Sequence, residues 1–495
     1  MEQFNDKNAK DLATFQARIE KHLAILTDLV TEQGKLKEED IISGNSYNYA
    51  IFIMKAYIGY LSNYNEENKK EFILLEDWIN LIKTPDTFPK ISEDNEVEVP
   101  KINFINYADK NIYKRLLNYF KKKKEDFKKK LFNGPPECFR WLSWCVINQI
   151  PIYDQQYRFN HYLVKKTTLT DKNRYNILKD MERTVLSQVH LGSHSDQIKD
   201  HLYYVLKAFG NLDLKFGYAQ GSNLIVVFML IVSEGNDVDT FNMLISLLTD
   251  NYIERKKKEY SFRGLFTEDL PLLHLIIHIF ECKLREKFPQ LKDHLDELGF
   301  DIYSCNGPWF QTLFTIFLPL NMCKRLWDCM FSDSVFFLVK FAVAFYGLIE
   351  AELMKKEELE DFKDYFNTLN KSSMTSDGVI DNKKYDVEKL IEEAKKIKID
   401  PTKYMKSFKK NPHYTDFQQN IGKTKEYKIE FEQHNINIDA IELSRKTIYS
   451  NLKQEDISKK MAEYDADKDN IINENQINDE KEKAIKKNEI KDEKK

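Results

Sequence analysis

Residues 216–232 read FGYAQGSNLIVVFMLIV, in which a polar segment with two glycines runs directly into nine consecutive apolar residues. A helix that crosses a bilayer needs about 20 apolar residues, so the run Leu224–Val232 is too short to span a membrane. It predicts a helix that is buried in the core of a globular domain. The polar segment before it then predicts a tight loop that leads into the buried helix.

The polar loop places an amide side chain between two glycines. Gly217 and Gly221 allow the backbone to approach a ligand or a partner closely. Gln220 provides both a hydrogen-bond donor and an acceptor, so the loop could position a water molecule. Taken alone, the segment fits equally well a plain loop with a helix N-cap at Ser222 or Asn223.

The composition of the whole chain indicates a mostly helical globular protein. Of its 495 residues, 42% are hydrophobic and 13% aromatic, which excludes disorder throughout, and only 15 glycines and 12 prolines supply turns. Residues 134–350 are the richest in large apolar side chains and alternate helical patterns with short polar breaks. The chain is therefore predicted to be all-α, with its core domain in this region.

Changes in the sequence pattern predict four segments. Residues 1–83 show helical periodicity and form a helical N-terminal unit, while residues 84–100, with three prolines and an acidic cluster, form a linker. Residues 101–400 hold the core domain with its flanking helices, the last of which is an amphipathic helix over 386–399. Residues 401–495 form a charged, partly disordered C-terminal tail, because they contain too little apolar surface to fold alone.

The charge pattern restricts the partners. The formal net charge of −4 is small for this length and implies no general attraction to nucleic acid. The lysine-rich patch Lys121–Lys130 fits contact with acidic lipid or a GTPase surface, but also the solvated face of a helix. The N-terminus lacks the apolar core of a signal peptide. We therefore expect a cytoplasmic protein that binds no nucleic acid.

A second polar motif lies upstream of the glycine loop, where residues 177–184 read ILKDMERT. On a helix, Ile177 can anchor the turn while Asp180 reaches Arg183 three positions later and holds its guanidinium outward. In isolation, such a pair is a surface ion pair worth a few tenths of a kcal/mol.

A third motif lies at the start of the apolar region, where residues 134–144 read GPPECFRWLSW. Its prolines predict the start of a helix, and Arg140 and Trp144 follow four residues apart on that helix. By itself the motif predicts only where a helix begins. The three motifs together, in this order, are far more specific than any one of them.

In this order the three motifs resemble the signature of TBC domains, the Rab-GAP family. That signature is Gly-x-Pro-x-x-x-Arg-x-x-x-Trp, then Ile-x-x-Asp-x-x-Arg, then Tyr-x-Gln-Gly. Stretches at 241–252, 308–314 and 326–331 are also similar to the second half of the family's domain. The resemblance implies a TBC-type all-helical domain that binds a GTP-loaded Rab-type GTPase, accelerates its GTP hydrolysis and acts in vesicle trafficking.

The resemblance also implies roles for individual residues. Arg183 would be an arginine finger and Gln220 a glutamine finger, both supplied in trans to the GTPase, and Asp180 would orient Arg183. Further residues that would shape the site are Arg140, Trp144, Tyr218, Gly221 and Asn223. Two positions depart from the family pattern, since Pro135 stands where an aliphatic residue is usual and Ser222 where Met is usual.

No cofactor of its own is implied, because the GTPase carries the Mg-GTP, and no independent substrate turnover is expected. One segment of the tail, residues 465–476, resembles an EF-hand calcium loop with Asp465, Asp467 and Asp469 at its first, third and fifth positions. Its twelfth position is Gln476, which cannot supply the bidentate carboxylate that calcium prefers. Both a weak calcium site and a coincidental acidic loop fit this segment.

Two functions of different classes follow. The first is an active GTPase activator whose partner is a Rab-family GTPase. The second is a non-catalytic TBC-fold scaffold or interaction subunit of a larger assembly, for which the extended polar flanks are the only sequence support. For either function we expect a cytoplasmic location, either peripheral on an endomembrane through the GTPase or Lys121–Lys130, or in a cytoskeletal assembly.

Overall fold

The computed structural model describes residues 69–82, 90–91, 97–98, 104–151, 156–164, 170–187, 195–233, 235–253, 260–372, 386–424 and 427–431. The predicted calcium loop 465–476 and most of the predicted N-terminal unit lie outside the described residues.

The described residues form α-helices joined by short loops. The helices are α1 (Lys69–Ile82), α2 (Phe104–Lys122), α3 (Lys124–Phe132), α4 (Glu137–Ile147), α5 (Gln156–Val164), α6 (Asp171–Ser187), α7 (Ser195–Leu212), α8 (Ser222–Val232), α9 (Asp237–Leu248), α10 (Pro271–Lys287), α11 (Pro289–Glu297), α12 (Ile302–Gln311), α13 (Leu320–Ser332), α14 (Phe337–Leu353), α15 (Leu359–Ser372), α16 (Val387–Lys396), α17 (Pro401–Phe408) and α18 (Tyr414–Thr424), with a 3-10 turn at Phe262–Leu265. A two-residue antiparallel ribbon, β1 (Lys90–Ile91) with β2 (Val97–Glu98), lies inside the segment predicted as a linker. The predicted all-α fold class is confirmed.

Helix α7 is the centre of the half of the domain that carries the candidate site. It packs against α5, α6, α8 and α9. Apolar residues recur every three or four positions along it, and Leu202, Val205 and Phe209 are at most 1% exposed. Helix α8 contains the apolar run Leu224–Val232 and is buried along most of its length, as predicted.

Helix α10 is the centre of the other half. It packs against α11, α12, α14, α17 and α18 and the 3-10 turn. Helix α16 confirms the amphipathic helix expected over 386–399, because Leu390, Ile391 and Ala394 are buried against α14. Among the described helices, none combines the length and the apolar character that crossing a bilayer requires.

Packing continues past both predicted limits of the core domain. Trp78 of α1 is buried against Phe127 and Phe139, with ring centroids 5.9 and 5.6 Å apart. At the other end, α17 and α18 dock on α10 and bury Phe408 and Phe417. Position 400 is therefore not the limit of packing. A few large apolar residues, spaced along short helices, are enough to attach this polar segment to an existing core.

Candidate functional site

Helix α6 carries the predicted arginine finger. Its backbone includes Asp180, Arg183 and Thr184, within two turns of the C-terminal end at Ser187. Ile177 is fully buried and anchors this part of the helix to the core, as the sequence predicted. The side chains of Asp180 and Thr184 both contact the glycine loop.

The first contact joins Asp180 to the loop at Tyr218. The Tyr218 hydroxyl donates a hydrogen bond of 2.7 Å to Asp180 Oδ2. Burial raises the pKa of Tyr218 above its usual range, and the neighbouring Asp180 carboxylate raises this pKa further. The phenol therefore stays protonated and acts as a permanent donor to the carboxylate.

The second contact joins Thr184, one helical turn after Asp180, to the loop at Asn223. The Asn223 amide Nδ2 donates to Thr184 Oγ1, and the Thr184 hydroxyl donates in turn to the Asp180 carbonyl at 2.6 Å. The Asn223 Oδ1 accepts from the Gly221 N–H at 3.1 Å. Asn223 therefore links helix α6 to the backbone of the loop.

We call these two contacts the α6–loop clamp: Tyr218 with Asp180, and Asn223 with Thr184. On the loop they flank Gln220, and on α6 they flank Arg183 in sequence. Since both contacts fall within one helical turn, the structure brings the backbone of Gln220 to the same region as the backbone of Arg183.

The tip of the loop is a tight turn that presents Gln220. The Ala219 carbonyl accepts from the Ser222 N–H at 3.1 Å and from the Ser222 hydroxyl at 2.6 Å. Gly221 has φ +93°, a conformation that type II turns assign to glycine at this position. Gln220 lies exposed at the tip. Ser222, the departure from the family pattern, therefore closes the turn through its hydroxyl.

The alternative of a side-chain N-cap at Ser222 or Asn223 is wrong in detail. Helix α8 begins at Ser222 with Gly221 as the cap residue, and no side chain caps it. The reason is that both candidate side chains are engaged elsewhere, Ser222 with Ala219 and Asn223 with Thr184.

The base of the loop also rests on α6. Gly217 has φ +55°, and a Cβ added there would lie 2.2 Å from Nδ2 of Asn173 in α6. The Gly217 N–H donates to the Asp213 carbonyl at 2.7 Å. A larger residue at position 217 would therefore force the Asn173 side chain to move, and the positive φ would strain its backbone.

The predicted supporting residues Arg140 and Trp144 lie in α4 and bind a different carboxylate. Trp144 Nε1 donates to Asp328 Oδ1 at 2.8 Å, and Arg140 Nε donates to Asp328 Oδ2 at 3.2 Å. Arg325 Nη1 reaches the same Oδ2 at 3.2 Å. Their role is to join α4 to α13 inside the core, so they support the site only through the packing of the domain.

Asp328 is fully buried, which makes its ionisation costly. Burial raises the pKa of Asp328, whereas the guanidiniums of Arg140 and Arg325 and the Trp144 indole N–H act in the opposite direction. Arg325 in turn binds Glu388 of α16 at 2.6 Å, which fixes α16 to the same cluster. We call Asp328, Arg140, Trp144, Arg325 and Glu388 the core ion cluster.

Thr184 and Asp328 also contribute to these contacts, although neither was predicted from the sequence. Thr184 lies directly after Arg183, and nothing local marks its hydroxyl as a partner for Asn223, which lies 39 positions away. Asp328 had one visible signal, because a lone carboxylate in the apolar stretch LWDCMF at 326–331 requires a buried partner.

Comparison with known proteins finds a family match over the region that contains the site. The sequence model of the Rab-GTPase-TBC domain family matches residues 137–354, which include α6, the glycine loop and Asp328. The crystal structure of the Chlamydomonas flagellar RabGAP TBC domain aligns with a TM-score of 0.41 and 20% identity, over 56% of this chain and 88% of that chain.

Two curated relatives are also similar to this chain. The human ecotropic viral integration site 5 protein homolog is 27% identical over 289 residues, which are 58% of this chain and 32% of that protein. The Caenorhabditis elegans Rab GTPase-activating protein eat-17 is 26% identical over 246 residues, or 50% of this chain and 26% of that protein. The chain thus spans about a third or less of the length of these relatives. Residues 137–354 of this chain therefore match the Rab-GTPase-TBC domain family.

Proposed function

We propose that this chain accelerates GTP hydrolysis on a Rab-type small GTPase, with Arg183 as an arginine finger and Gln220 as a glutamine finger. Both side chains would act in trans on GTP that the GTPase holds with its Mg²⁺. The chain itself would turn over no separate substrate.

The observation that carries the proposal is the α6–loop clamp. Tyr218 and Asn223 attach the loop on both sides of Gln220 to the helical turn that contains Arg183. Two groups that must act on one phosphate have to be held in a fixed relation before the partner binds. The clamp holds the backbones around Arg183 and Gln220 in such a relation. Two surface residues without a joint function would not require attachment at two points.

The chemistry explains why an arginine suits position 183. As the γ-phosphoryl group leaves, charge builds on its oxygens and on the bridging oxygen. A guanidinium remains charged at any physiological pH and offers several donors in one plane, so it stabilises this charge more than the ground state. An added arginine is worth about 10³–10⁵ in rate, or roughly 4–7 kcal/mol.

The chemistry also explains why a glutamine suits position 220. Its amide can accept a hydrogen bond from the attacking water and donate another to the phosphate. Gln220 is exposed at the tip of a closed turn, so its side chain is accessible to a partner from a fixed base. A loop tip that is anchored on both sides loses little conformational entropy when the partner binds.

The surface beside the loop supports a protein partner. Leu214 lies six residues before Gln220 and is 58% exposed, one of four exposed large hydrophobic residues among those described. An exposed leucine near the base of the loop suits contact with a partner protein, because a complex would remove this side chain from water.

The name of the nematode relative, Rab GTPase-activating protein eat-17, favours catalysis over a scaffold. The test is single-turnover GTP hydrolysis by a complete panel of Rab GTPases, with and without the chain. We expect acceleration of at least one Rab, and its loss in Arg183→Ala. Acceleration of no Rab, or equal acceleration by the variant, would show that the proposal is wrong.

A further inference from the structure

The short segment 427–431 lies well beyond the family match, which ends at residue 354, yet it pairs with the core of the domain. The Asp250 N–H donates to the Tyr427 carbonyl at 2.7 Å. Asn251 then makes two bonds with Ile429, from its Nδ2 to the carbonyl at 2.7 Å and from the Ile429 N–H to its Oδ1 at 2.9 Å. We call residues 427–431 the C-terminal strap.

The far end of the strap is held by Phe431. Its ring lies under the guanidinium of Arg158, whose Cζ is 3.8 Å from the ring centroid. The same ring stacks on Tyr252 with centroids 6.5 Å apart. Arg158 and Tyr252 therefore hold the far end of the strap, in addition to the bonds that Asp250 and Asn251 make with Tyr427 and Ile429.

The near end of the strap reaches a buried ion pair through Tyr427. Arg263 Nη1 lies 2.5 Å from Asp213 Oδ2, and the two residues are 3% and 2% exposed. The Tyr427 hydroxyl donates to the other oxygen, Asp213 Oδ1, at 3.1 Å. The Tyr427 ring also covers the guanidinium of Arg263, with Cζ 3.7 Å from the ring centroid. Tyr427 thus contacts both members of the pair.

Asp213 is the first residue of the loop that ends in Gln220. Its Oδ1 accepts from the Phe216 N–H at 3.1 Å, and its carbonyl accepts from the N–H groups of Phe216 and Gly217 at 3.1 and 2.7 Å. A buried carboxylate needs several donors to remain ionised in one orientation. Arg263, Phe216 and Tyr427 are the donors that the structure shows for Asp213.

We propose that the C-terminal strap is part of the GTPase-activating machinery, with Tyr427 as a positioning residue for the loop of Gln220. Tyr427 orients the Asp213 carboxylate, and this carboxylate holds the Phe216 amide. The Asp213 carbonyl holds the Phe216 and Gly217 amides, so Asp213 as a whole fixes the base from which the loop rises. The inference rests on the proposed function for its catalytic consequence, but the structural coupling can be tested without a GTPase. The part of the chain that takes part in GTPase activation would then extend beyond residues 137–354, which match the family.

The first test is hydrogen exchange of the Phe216 and Gly217 amides in the full chain. Tyr427→Phe removes only the bond to Asp213, and we expect roughly threefold faster exchange. Tyr427→Ala also removes the ring over Arg263, and we expect roughly tenfold faster exchange or more. Phe431→Ala releases the strap without touching the ion pair, and should give an intermediate increase.

The matched control is Tyr404→Phe. Tyr404 lies in the same C-terminal region and also donates to a carboxylate, Glu286 Oε1, at 3.0 Å, but it does so at the far end of α10. Exchange at Phe216 and Gly217 should be unchanged in this variant. The coupling would be overturned if exchange were unchanged in both Tyr427→Phe and Phe431→Ala while at least one of these variants is folded.

The second test is the stimulated rate of GTP hydrolysis at saturating chain. We expect Tyr427→Phe to lower the maximal rate roughly threefold to tenfold and to change the half-saturating concentration by less than about twofold. A change confined to half-saturation would overturn the inference by making the strap a partner contact. If the wild-type chain stimulates no Rab, the proposed function fails while the exchange data still decide the coupling.

Discussion

Asp180 and Asp328 are two carboxylates that each accept a hydrogen bond from an aromatic side chain. Tyr218 Oη donates to Asp180 at 2.7 Å, and Trp144 Nε1 donates to Asp328 at 2.8 Å. Their settings differ in burial. Asp328 is 0% exposed and has two arginines around it, whereas Asp180 is half-buried and lies one helical turn from Thr184 beneath an exposed loop.

The two carboxylates have different roles because their partners lie in different places. In the core ion cluster, Asp328 binds residues of the domain core. These bonds hold α4 and α13 together, and Arg325 also attaches α16. In the α6–loop clamp the partners of Asp180 and Thr184 carry an exposed glutamine between them. The same donor–acceptor chemistry therefore stabilises the domain in one place and holds a loop for presentation in the other.

The largest expected effect is the loss of catalysis in Arg183→Ala. Removing the finger should lower the stimulated rate by about 10³–10⁵, because the charge of the transition state loses its main partner. Single-turnover hydrolysis at saturating chain measures it, and circular dichroism of the same sample checks folding. A rate loss of less than about tenfold in a folded variant would show that Arg183 does not act as an arginine finger.

The next effect is the loss of stability in Asp328→Asn. Two buried guanidiniums lose their shared carboxylate, so the free energy of unfolding should fall by about 3–5 kcal/mol. Urea denaturation measures this, and the folded fraction at low temperature should still accelerate hydrolysis normally. Asp180→Asn is the matched variant, with a stability loss below about 1.5 kcal/mol because Asp180 is half-buried. The reverse order of stabilities would contradict the account.

A smaller effect is expected for Tyr218→Phe, which removes one contact of the clamp. The stimulated rate should fall about fivefold to tenfold, equivalent to roughly 1–1.4 kcal/mol, because the loop loses one of its two attachments to α6. Tyr346→Phe is the control, since Tyr346 donates to Asn306 at 2.8 Å inside the core. That control should lose stability but keep its rate per folded molecule, and an equal rate loss in both variants would count against the clamp.

The smallest effect concerns the stability in acid of the half of the domain that is centred on α10. His274 stacks on His413 with ring centroids 3.8 Å apart, and burial together with His413 lowers the pKa of His274 to about 4. The unfolded chain takes up this proton near 6.5 and the folded chain only near 4, so stability falls as the pH drops through this window. In His274→Gln the fall in urea midpoint between pH 6.5 and 4 should be shallower. An identical pH profile in the variant would show that His274 does not contribute to the loss of stability in acid.

Local periodicity was enough to predict the elements that are built from contiguous residues. The buried helix after the glycine loop, the helix start at Pro136 and the amphipathic helix α16 all follow from spacing within one segment. A helix or a turn depends on neighbours in sequence, so its signal is present in a short window.

The contacts that give the site its geometry have no such signal. Tyr218 lies 38 positions from Asp180, and Trp144 lies 184 positions from Asp328. Which of two aspartates meets which aromatic donor depends on how the helices pack. The docking of Tyr427 on Asp213 across 214 positions is the extreme case, and Tyr427 lies in the segment predicted to be a charged, partly disordered tail.

The most direct test of the central claim is the affinity of the chain for the accelerated Rab in two nucleotide states. Bound GDP with aluminium fluoride mimics the transition state, so the wild-type chain should bind this form at least about a hundredfold more tightly than the GDP form. Arg183→Ala and Gln220→Ala should each lose most of that gain. Equal, stable binding in both states, unaffected by these substitutions, would contradict the account and indicate a scaffold.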